Sequence, residues 1–150
     1  MGRMQQLFLT GLVAAGLAST ASAAAPPSTG LGQAWPNATD VSASPHYHVY
    51  VFERLGVRYV QINDLNGNVR AAFGNAGGNF FGLPIGLDAN RLETPTEPSA
   101  VPADTTGTAG ETVYQDGSSR VQVVPQPTGG LRTLVIGDCT NPAECSVHGP

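Results

Sequence analysis

Two stretches of alternating apolar and polar residues predict that this chain is mainly β. The first stretch runs from Tyr47 to Phe73 and the second from Glu111 to Ile136. Aromatic and β-branched residues dominate both stretches, which is typical of strands. Turn residues divide each stretch into three segments, and this predicts two short antiparallel β-meanders. We expect the meanders to pack as a small sandwich or a partly open barrel.

Two tight turns set the strand register of the first meander. Leu55-Gly56 and Asn66-Gly67 are both interpreted as two-residue turns, and Asn-Gly is a strong hairpin signal. The expected pairs are Glu53–Arg58, Phe52–Tyr59, Val51–Val60, Val49–Ile62, Asp64–Val69, Ile62–Ala71 and Val60–Phe73. Seven apolar residues then share one side of the sheet, namely Val49, Val51, Val60, Ile62, Val69, Ala71 and Phe73. A slip of one residue would scramble this agreement between the two turns.

The opposite side of the first meander mixes aromatic rings with polar groups, and we call it the candidate ligand face. It consists of His48, Tyr50, Phe52, Tyr59, Gln61, Asn63 and Arg70. Rings can stack on an apolar ligand surface while polar groups fix its orientation. We therefore hypothesise that this face meets a peptide, a glycan or a partner protein. The alternative is that the second meander or the N-terminal arm covers it.

Three segments are expected to be irregular because small residues and proline dominate them. They are the arm at 24–45, a flexible linker at 94–110 and the tail at 138–150. The linker has too little apolar surface to offset the cost of ordering it. Trp35 is the one large apolar side chain of the arm and is a candidate to dock onto the body. Residues 46–137 would then form a single small β domain.

The two meanders also align with each other when the chain is shifted by 62 residues. Residues 50–73 then fall on residues 112–135 without a gap. The identical pairs are Val51–Val113, Arg58–Arg120, Gly67–Gly129 and Arg70–Arg132. Shared strand composition explains so few identities equally well, so an internal repeat and chance both stay open.

The first 23 residues have the layout of a secretory signal peptide. Arg3 precedes an apolar run from Leu7 to Ala18, and Ala21-Ser22-Ala23 forms a cleavage box. The run is shorter than the roughly 20 residues that a membrane span needs. We expect cleavage after Ala23 and export, as in many bacterial periplasmic or secreted proteins. A retained anchor is the alternative, and we expect no membrane span in the mature chain.

Charge and cysteine content narrow the possible partners. Without Arg3 the chain has six basic and eleven acidic residues, a net charge of −5. This acidic balance speaks against nucleic acid, whose phosphates require a basic patch. Cys139 and Cys145 are expected to form a disulfide in an oxidising compartment. A metal site that adds His148 to these cysteines is the rival interpretation.

Motifs for catalysis are absent from the sequence. It contains no Gly-x-Ser-x-Gly elbow, and its glycine-rich stretch after Phe73 lacks the lysine of a phosphate-binding loop. His46 and His48 would lie on one face of a strand, which is a geometry that can hold a metal, but no third ligand is visible nearby. We therefore predict no cofactor and no enzymatic activity.

These observations lead to a small exported binding or envelope-accessory protein whose partner is unknown. One alternative is a metal protein or enzyme that uses His46 and His48. Another is a purely structural secreted domain with no ligand, and a third is a secreted hydrolase inhibitor that uses the segment Thr94–Gly110.

Overall fold

The computed structural model describes residues 27–104, 109–127 and 129–137. Within these ranges eight strands form two four-stranded sheets, and the sheets do not close into a barrel. The strands are β1 (Tyr47–Arg54), β2 (Val57–Asp64), β3 (Val69–Ala76), β4 (Asn79–Gly82), β5 (Leu92–Glu93), β6 (Glu111–Gln115), β7 (Ser119–Pro125) and β8 (Leu131–Gly137). A 3-10 helix at Ala89–Arg91 precedes β5.

The strand order confirms the mainly β fold with two meanders. Sheet 1 has the order β1-β2-β3-β4 and sheet 2 the order β5-β8-β7-β6. All neighbours are antiparallel except β5, which runs parallel to β8. The short β4 lies at the edge of sheet 1, and Pro84, which has no backbone donor for a further strand pair, follows two residues after its end. β5 has only two residues, too few for the sequence to mark as a strand.

The first turn has the geometry that the sequence predicted. All four predicted β1–β2 pairs are present, including Val51 with Val60. Leu55 has a φ of 51° and Gly56 a φ of 78°, so both central residues are left-handed, as in a type I′ turn. The strand register at this end of β2 is therefore confirmed.

The second turn is wider than the sequence predicted. The expected pair Asp64–Val69 is wrong, because the register shifts after Ile62 and Asn63 pairs with Val69 instead. Of the residues in this turn only Gly67 is left-handed, with a φ of 83°. A type I turn followed by a left-handed glycine at a bulge has this pattern.

The side chain of Asp64 stabilises the wider turn. Its Oδ1 accepts hydrogen bonds from the backbone nitrogens of Asn66 at 2.9 Å and Asn68 at 3.0 Å. The backbone nitrogen of Gly67 donates to the Asp64 carbonyl at 3.0 Å. An aspartate that bonds to the backbone two residues onward favours such a turn over a two-residue reversal.

The core lies between the two sheets. Its buried cluster consists of Val49, Val60, Ile62, Ala71, Phe73, Phe80, Leu92, Val113, Tyr114, Val121, Val123 and Val135. Five of the seven residues predicted to share one side belong to this cluster, and Val51 packs against it. Val69 is outside the cluster because it lies beside the bulge at Asn63. Each fully buried aliphatic side chain stabilises the fold by about 1.5–3 kcal/mol.

The irregular arm closes one open side of the sandwich. The nitrogen of Val41 donates to the carbonyl of Val49 in β1 at 2.8 Å. Two residues later, Ala43 donates to the carbonyl of Val113 in β6, also at 2.8 Å. The arm thereby connects the edge strands of both sheets and occupies backbone groups that would otherwise be open to another chain.

The start of the linker closes the other side. The hydroxyl of Thr96 donates to the carbonyl of Phe80 in β4. The nitrogen of Gly82 donates to a carboxylate oxygen of Glu97 at 2.7 Å. Because β5 pairs with β8 just before these residues, the segment connects sheet 1 to sheet 2.

When the chain is shifted by 62 residues, β2 falls on β7, but the core-facing residues of one strand do not fall on those of the other. It places the core residue Val60 on Gln122, which is half-buried, and the half-buried Tyr59 on the core residue Val121. The cause is a register irregularity in the β6–β7 pair between Thr112 and Tyr114. The gap-free alignment therefore does not describe two structurally equivalent halves.

Candidate binding surface around Trp35

The candidate ligand face is covered by the chain's own arm. Tyr50, Phe52, Gln61 and Asn63 are buried. The other members, His48, Tyr59 and Arg70, are half-buried. The centre of this face is thus buried and in contact with the arm, and the ligand role of the face stays a prediction. The physical reason is that two adjacent amides among aromatic rings need hydrogen-bond partners, and the arm supplies them.

Three hydrogen bonds join the arm to β2. The Oε1 of Gln61 accepts from the nitrogen of Gly32 at 2.6 Å, and its Nε2 donates to the carbonyl of Gln33 at 2.8 Å. The Nδ2 of Asn63 donates to the carbonyl of Ala34 at 2.7 Å. All three contacts reach backbone atoms of the arm. Each such bond contributes about 1 kcal/mol net, but an unpaired buried amide would cost about 1–3 kcal/mol.

Residues 29–37 form a closed loop, which we call the Trp35 loop. The nitrogen of Thr29 donates to the carbonyl of Asn37 at 3.0 Å and closes the base of the loop. Gly30 and Gly32 have φ values of 96° and 90°, which other residues rarely adopt. Compact loops with joined ends are frequently functional.

Trp35 is fixed on one side and open on the other. Its indole lies on the backbone of Gly67, where a Cβ atom would come within 2.8 Å of Cε2. The ring of His48 meets it edge-on, with 5.4 Å between the ring centroids. Even so, Trp35 is 60% exposed. A large aromatic side chain is therefore held in place while most of its surface faces solvent.

Two exposed leucines stand on segments that meet the turn on which Trp35 rests, and we call the three side chains the Trp35 patch. Leu65, in the β2–β3 turn, is 53% exposed, and Leu87 is 68% exposed. The nitrogen of Leu87 donates to the carbonyl of Val69, which follows the same turn. Half of the six large exposed apolar side chains in the described ranges thus gather at this end of β2. Clustered apolar surface of this kind marks interaction sites.

His48 connects the arm to β1. Its Nδ1 lies 2.7 Å from Oδ2 of Asp40, and its ring stacks on Tyr50 at 6.2 Å. The Oδ1 of Asp40 accepts from the nitrogens of Val49 and Ser42. Burial raises the pKa of Asp40, but the hydrogen bonds from His48 and the two backbone groups outweigh it, so the pKa lies below its usual value. Asp40 is therefore the anchor of the arm.

His46 lies against a different carboxylate. Its Nδ1 is 3.0 Å from Oε1 of Glu111, and the hydroxyl of Ser44 donates to the same oxygen. These hydrogen bonds lower the pKa of Glu111. Ser44 donates to a carboxylate and not to an imidazole, so it lacks the contact that activates a serine nucleophile. Across the described residues, no group of three or more His, Cys, Asp or Glu side chains is placed to hold a metal.

Arg70, the last member of the predicted face, is part of a half-buried ion-pair network. Its guanidinium lies 2.6 Å from the carboxylate of Asp88 and 3.5 Å from that of Asp64. Arg91 approaches Asp88 from the other side at 3.9 Å. The network joins β3 to the loop before the 3-10 helix, so Arg70 has a structural partner on each side.

A groove of about 420 Å³ lies at the opposite end of β2. Its lining includes the first turn of sheet 1, the glycine turn after β3 and Ser118. Leu55 stands at this groove with 94% of its surface exposed and in the left-handed conformation. A non-glycine residue at positive φ costs about 1 kcal/mol.

Ion pairs and charge-assisted hydrogen bonds stabilise the end of β2 that borders the groove. Arg58 lies between Glu53 at 2.9 Å and Asp116 at 2.8 Å. The other oxygen of Asp116 accepts from the backbone nitrogens of Ser118 and Ser119. Burial alone would raise the pKa of Asp116, but these hydrogen bonds place it far below the usual range.

Tyr114 shares the same carboxylate. Its hydroxyl donates to Oδ2 of Asp116 at 2.8 Å. Burial, together with the bond to Asp116, raises the pKa of Tyr114 to about 12. The phenol therefore stays a hydrogen-bond donor at any physiological pH.

Comparison with protein-family models, with curated proteins and with solved structures gave no match for this chain. Among the described residues no helix is long and apolar enough to cross a membrane. The predicted cleavage site after Ala23 and the predicted disulfide of Cys139 and Cys145 lie outside the described residues.

Sequence reasoning missed the Trp35 patch. The signal that was available is the isolation of Trp35 in an arm of small residues.

Proposed function

We propose that this chain is a small exported, non-enzymatic binding protein whose partner docks on the Trp35 patch. The observation that carries the proposal is that Trp35 is both fixed and 60% exposed. Tryptophan is enriched among the residues that dominate binding energies. A side chain that is held before binding loses less conformational freedom when the partner arrives.

The surroundings of the indole favour a protein or peptide partner over a glycan. Leu65 and Leu87 are exposed apolar side chains on segments that meet the turn on which the ring rests. A glycan site would instead place polar groups around the ring to fix the sugar hydroxyls. Export to the periplasm or beyond makes an envelope or secreted protein the expected partner.

Two of the alternatives have less support. His46 and His48 lie against separate carboxylates, Glu111 and Asp40, so the pair does not converge on one ion. The inhibitor interpretation needs an accessible loop, but residues of the 94–101 segment hold the sheets together. One example is the carbonyl of Val101, which accepts a hydrogen bond from Arg132 in β8 at 3.1 Å.

The test compares two leucines in turns at opposite ends of β2. Mature chain is immobilised and used to capture partners from its own envelope extract, alongside Trp35→Ser, Leu65→Ser and Leu55→Ser variants. The proposal predicts a captured protein that is lost with Trp35→Ser, reduced with Leu65→Ser and kept with Leu55→Ser. Capture that is unaffected by Trp35→Ser, or no specific capture at all, would contradict it.

A further inference from the structure

We propose that the groove beside the β1–β2 turn docks a second copy of this chain, with Leu55 of each copy seated in the groove of the other. The interface is symmetric, so each copy supplies both the projecting side chain and the groove. This surface goes beyond the proposed function, because it lies at the end of β2 opposite the Trp35 patch and includes none of its three side chains.

Leu55 is an unusual residue for the tip of its hairpin. It is 94% exposed, so it contributes almost nothing to the core. Its φ of 51° lies in the left-handed region, which leucine adopts at a cost and which asparagine, aspartate or glycine adopts readily. A strained residue that its own fold leaves almost fully exposed points to a role outside that fold. A projecting apolar side chain is suited to insertion into the surface of another molecule.

The groove next to Leu55 has room for an apolar side chain. Its volume is about 420 Å³, and its lining includes Gly56, Gly77 and Gly78. A Cβ atom added to any of these three glycines would meet nothing within 4 Å beyond the glycine's own chain neighbours. Bare backbone therefore borders open space, and Val57 adds apolar surface to the lining. A leucine from another molecule can enter without displacing a side chain of this one.

The charges beside the turn favour a second copy over an unrelated partner. Both hydrogen bonds from Arg58 to Glu53 go to Oε1, so Oε2 of this carboxylate has no hydrogen-bond partner among the described residues. The next residue, Arg54, is exposed and makes no ion pair in the part of the chain that the structure describes. One available charge of each sign therefore stands next to Leu55, and such a surface is complementary to itself.

A two-fold axis brings these opposite charges together. Side chains alternate along β1, so Glu53 and Arg54 lie on opposite faces of sheet 1. An axis that runs across the strands, in the plane of the sheet, exchanges the two faces. Glu53 of each copy then meets Arg54 of the other copy. The same axis brings the two β1–β2 turns together, with each Leu55 beside the groove of the other copy.

Sedimentation velocity of the purified chain, from about 10 μM to about 1 mM, measures the association. Two turns and a shallow groove make a small interface, and weak complexes of that kind dissociate in this concentration range. We expect a monomer–dimer equilibrium. A chain that stays monomeric throughout the range overturns the proposal, and it would then be a different molecule that Leu55 contacts.

Leu55→Asn tests the projecting side chain without endangering the fold. It removes the apolar group and relieves the strained backbone, so a lost dimer is not explained by unfolding. We expect the dissociation constant of the dimer to rise at least about tenfold, because a buried leucine contributes more than that factor. Leu65→Asn in the other turn is the matched control and should leave it within about twofold. A dimer that survives Leu55→Asn, or that Leu65→Asn weakens equally, overturns the proposal.

An exchange of charges tests the two-fold arrangement. Arg54→Glu leaves two acidic groups beside the turn and Glu53→Arg leaves two basic groups, so each variant alone should dimerise at least about tenfold more weakly. Arg58 keeps its ion pair with Asp116 in both variants. An equimolar mixture should restore the dimer, because each copy then carries the charge that the other lacks. If the mixture associates no better than either variant alone, Glu53 does not meet Arg54 across the interface and the proposal fails.

Discussion

The two ends of β2 are stabilised by different chemistry. At its start, Arg58 is bonded to Glu53 and Asp116. The carboxylate of Asp116 also accepts a hydrogen bond from the β6–β7 turn at Ser118. At its end, the neutral amides of Gln61 and Asn63 hold an irregular arm, and Trp35 stays exposed above them. The charged groups at the start of β2 therefore find their partners within the two sheets and their turns. The amide end depends on a segment outside the sheets, and it is the end at which we propose that a partner docks.

The largest expected effect compares one glycine from each end. Gly67→Ala combines a φ of 83° with a Cβ 2.8 Å from the indole. Gly56→Ala has a φ of 78° and no atom within 4 Å of the new Cβ. We expect a loss of about 3 kcal/mol in the free energy of unfolding for Gly67→Ala and about 1 kcal/mol for Gly56→Ala.

Urea unfolding of both variants measures this difference. Tryptophan emission provides a second readout, since only Gly67→Ala should change the environment of Trp35. Equal losses of stability would mean that the indole does not rest on Gly67.

The next effect concerns the amides. Gln61→Leu leaves the Gly32 nitrogen and the Gln33 carbonyl without their partner, and we expect a loss of about 2 kcal/mol. Gln122→Leu removes only a long contact to Thr112 at 3.4 Å and should stay within about 0.5 kcal/mol. Thermal or urea unfolding compares the pair. An equal loss of stability for Gln122→Leu and Gln61→Leu would mean that the hydrogen bonds from Gln61 to the arm contribute no special stability.

The charged end should respond to acid. Because the folded-state pKa of Asp116 is lowered from 3.8, its contribution to stability is full above that pH and is lost as the pH falls below it. We expect Asp116→Asn to cost about 2 kcal/mol at pH 7 and distinctly less at pH 3.

Urea unfolding at both pH values measures this change. Gln61→Leu serves as the control at the amide end, where the substituted group does not titrate. If Asp116→Asn cost the same at pH 7 and pH 3, the negative charge of Asp116 would not be what stabilises the fold.

The smallest effect is a gain. Leu55→Asn replaces a leucine at a φ of 51° with a residue that tolerates the left-handed conformation. We expect stability to rise by about 0.5–1 kcal/mol. Leu65→Asn, in the other turn and without positive φ, should give no gain. A loss of stability with Leu55→Asn would show that the leucine side chain has a structural role in this chain.

The sequence was sufficient for the β1–β2 register because turn type and apolar alternation agree there. At the second turn, turn type and apolar alternation were not enough to predict the register. The side chain of Asp64 accepts hydrogen bonds from Asn66 and Asn68 there and stabilises a longer turn. Alternation assigns faces relative to neighbouring strands only. It therefore placed Gln61 on the face opposite the core without revealing that this face is covered.

The Trp35 patch was beyond prediction for a related reason. Contacts between an irregular arm and a sheet are set by individual hydrogen bonds and one bare glycine, and none of these has a periodic signature. The presence of Trp35 in the arm indicated docking, but its position over Gly67 depends on the bulge that the sequence did not reveal.

The docking of the arm on β2 is tested most directly by NMR of the unchanged chain. Ring currents from Trp35 should shift the α protons of Gly67 upfield, and the Gly32 amide should exchange slowly because it donates to Gln61. Both signatures should disappear together in Trp35→Ser. Random-coil shifts for Gly67 with rapid exchange at Gly32 in the unchanged chain would contradict the account.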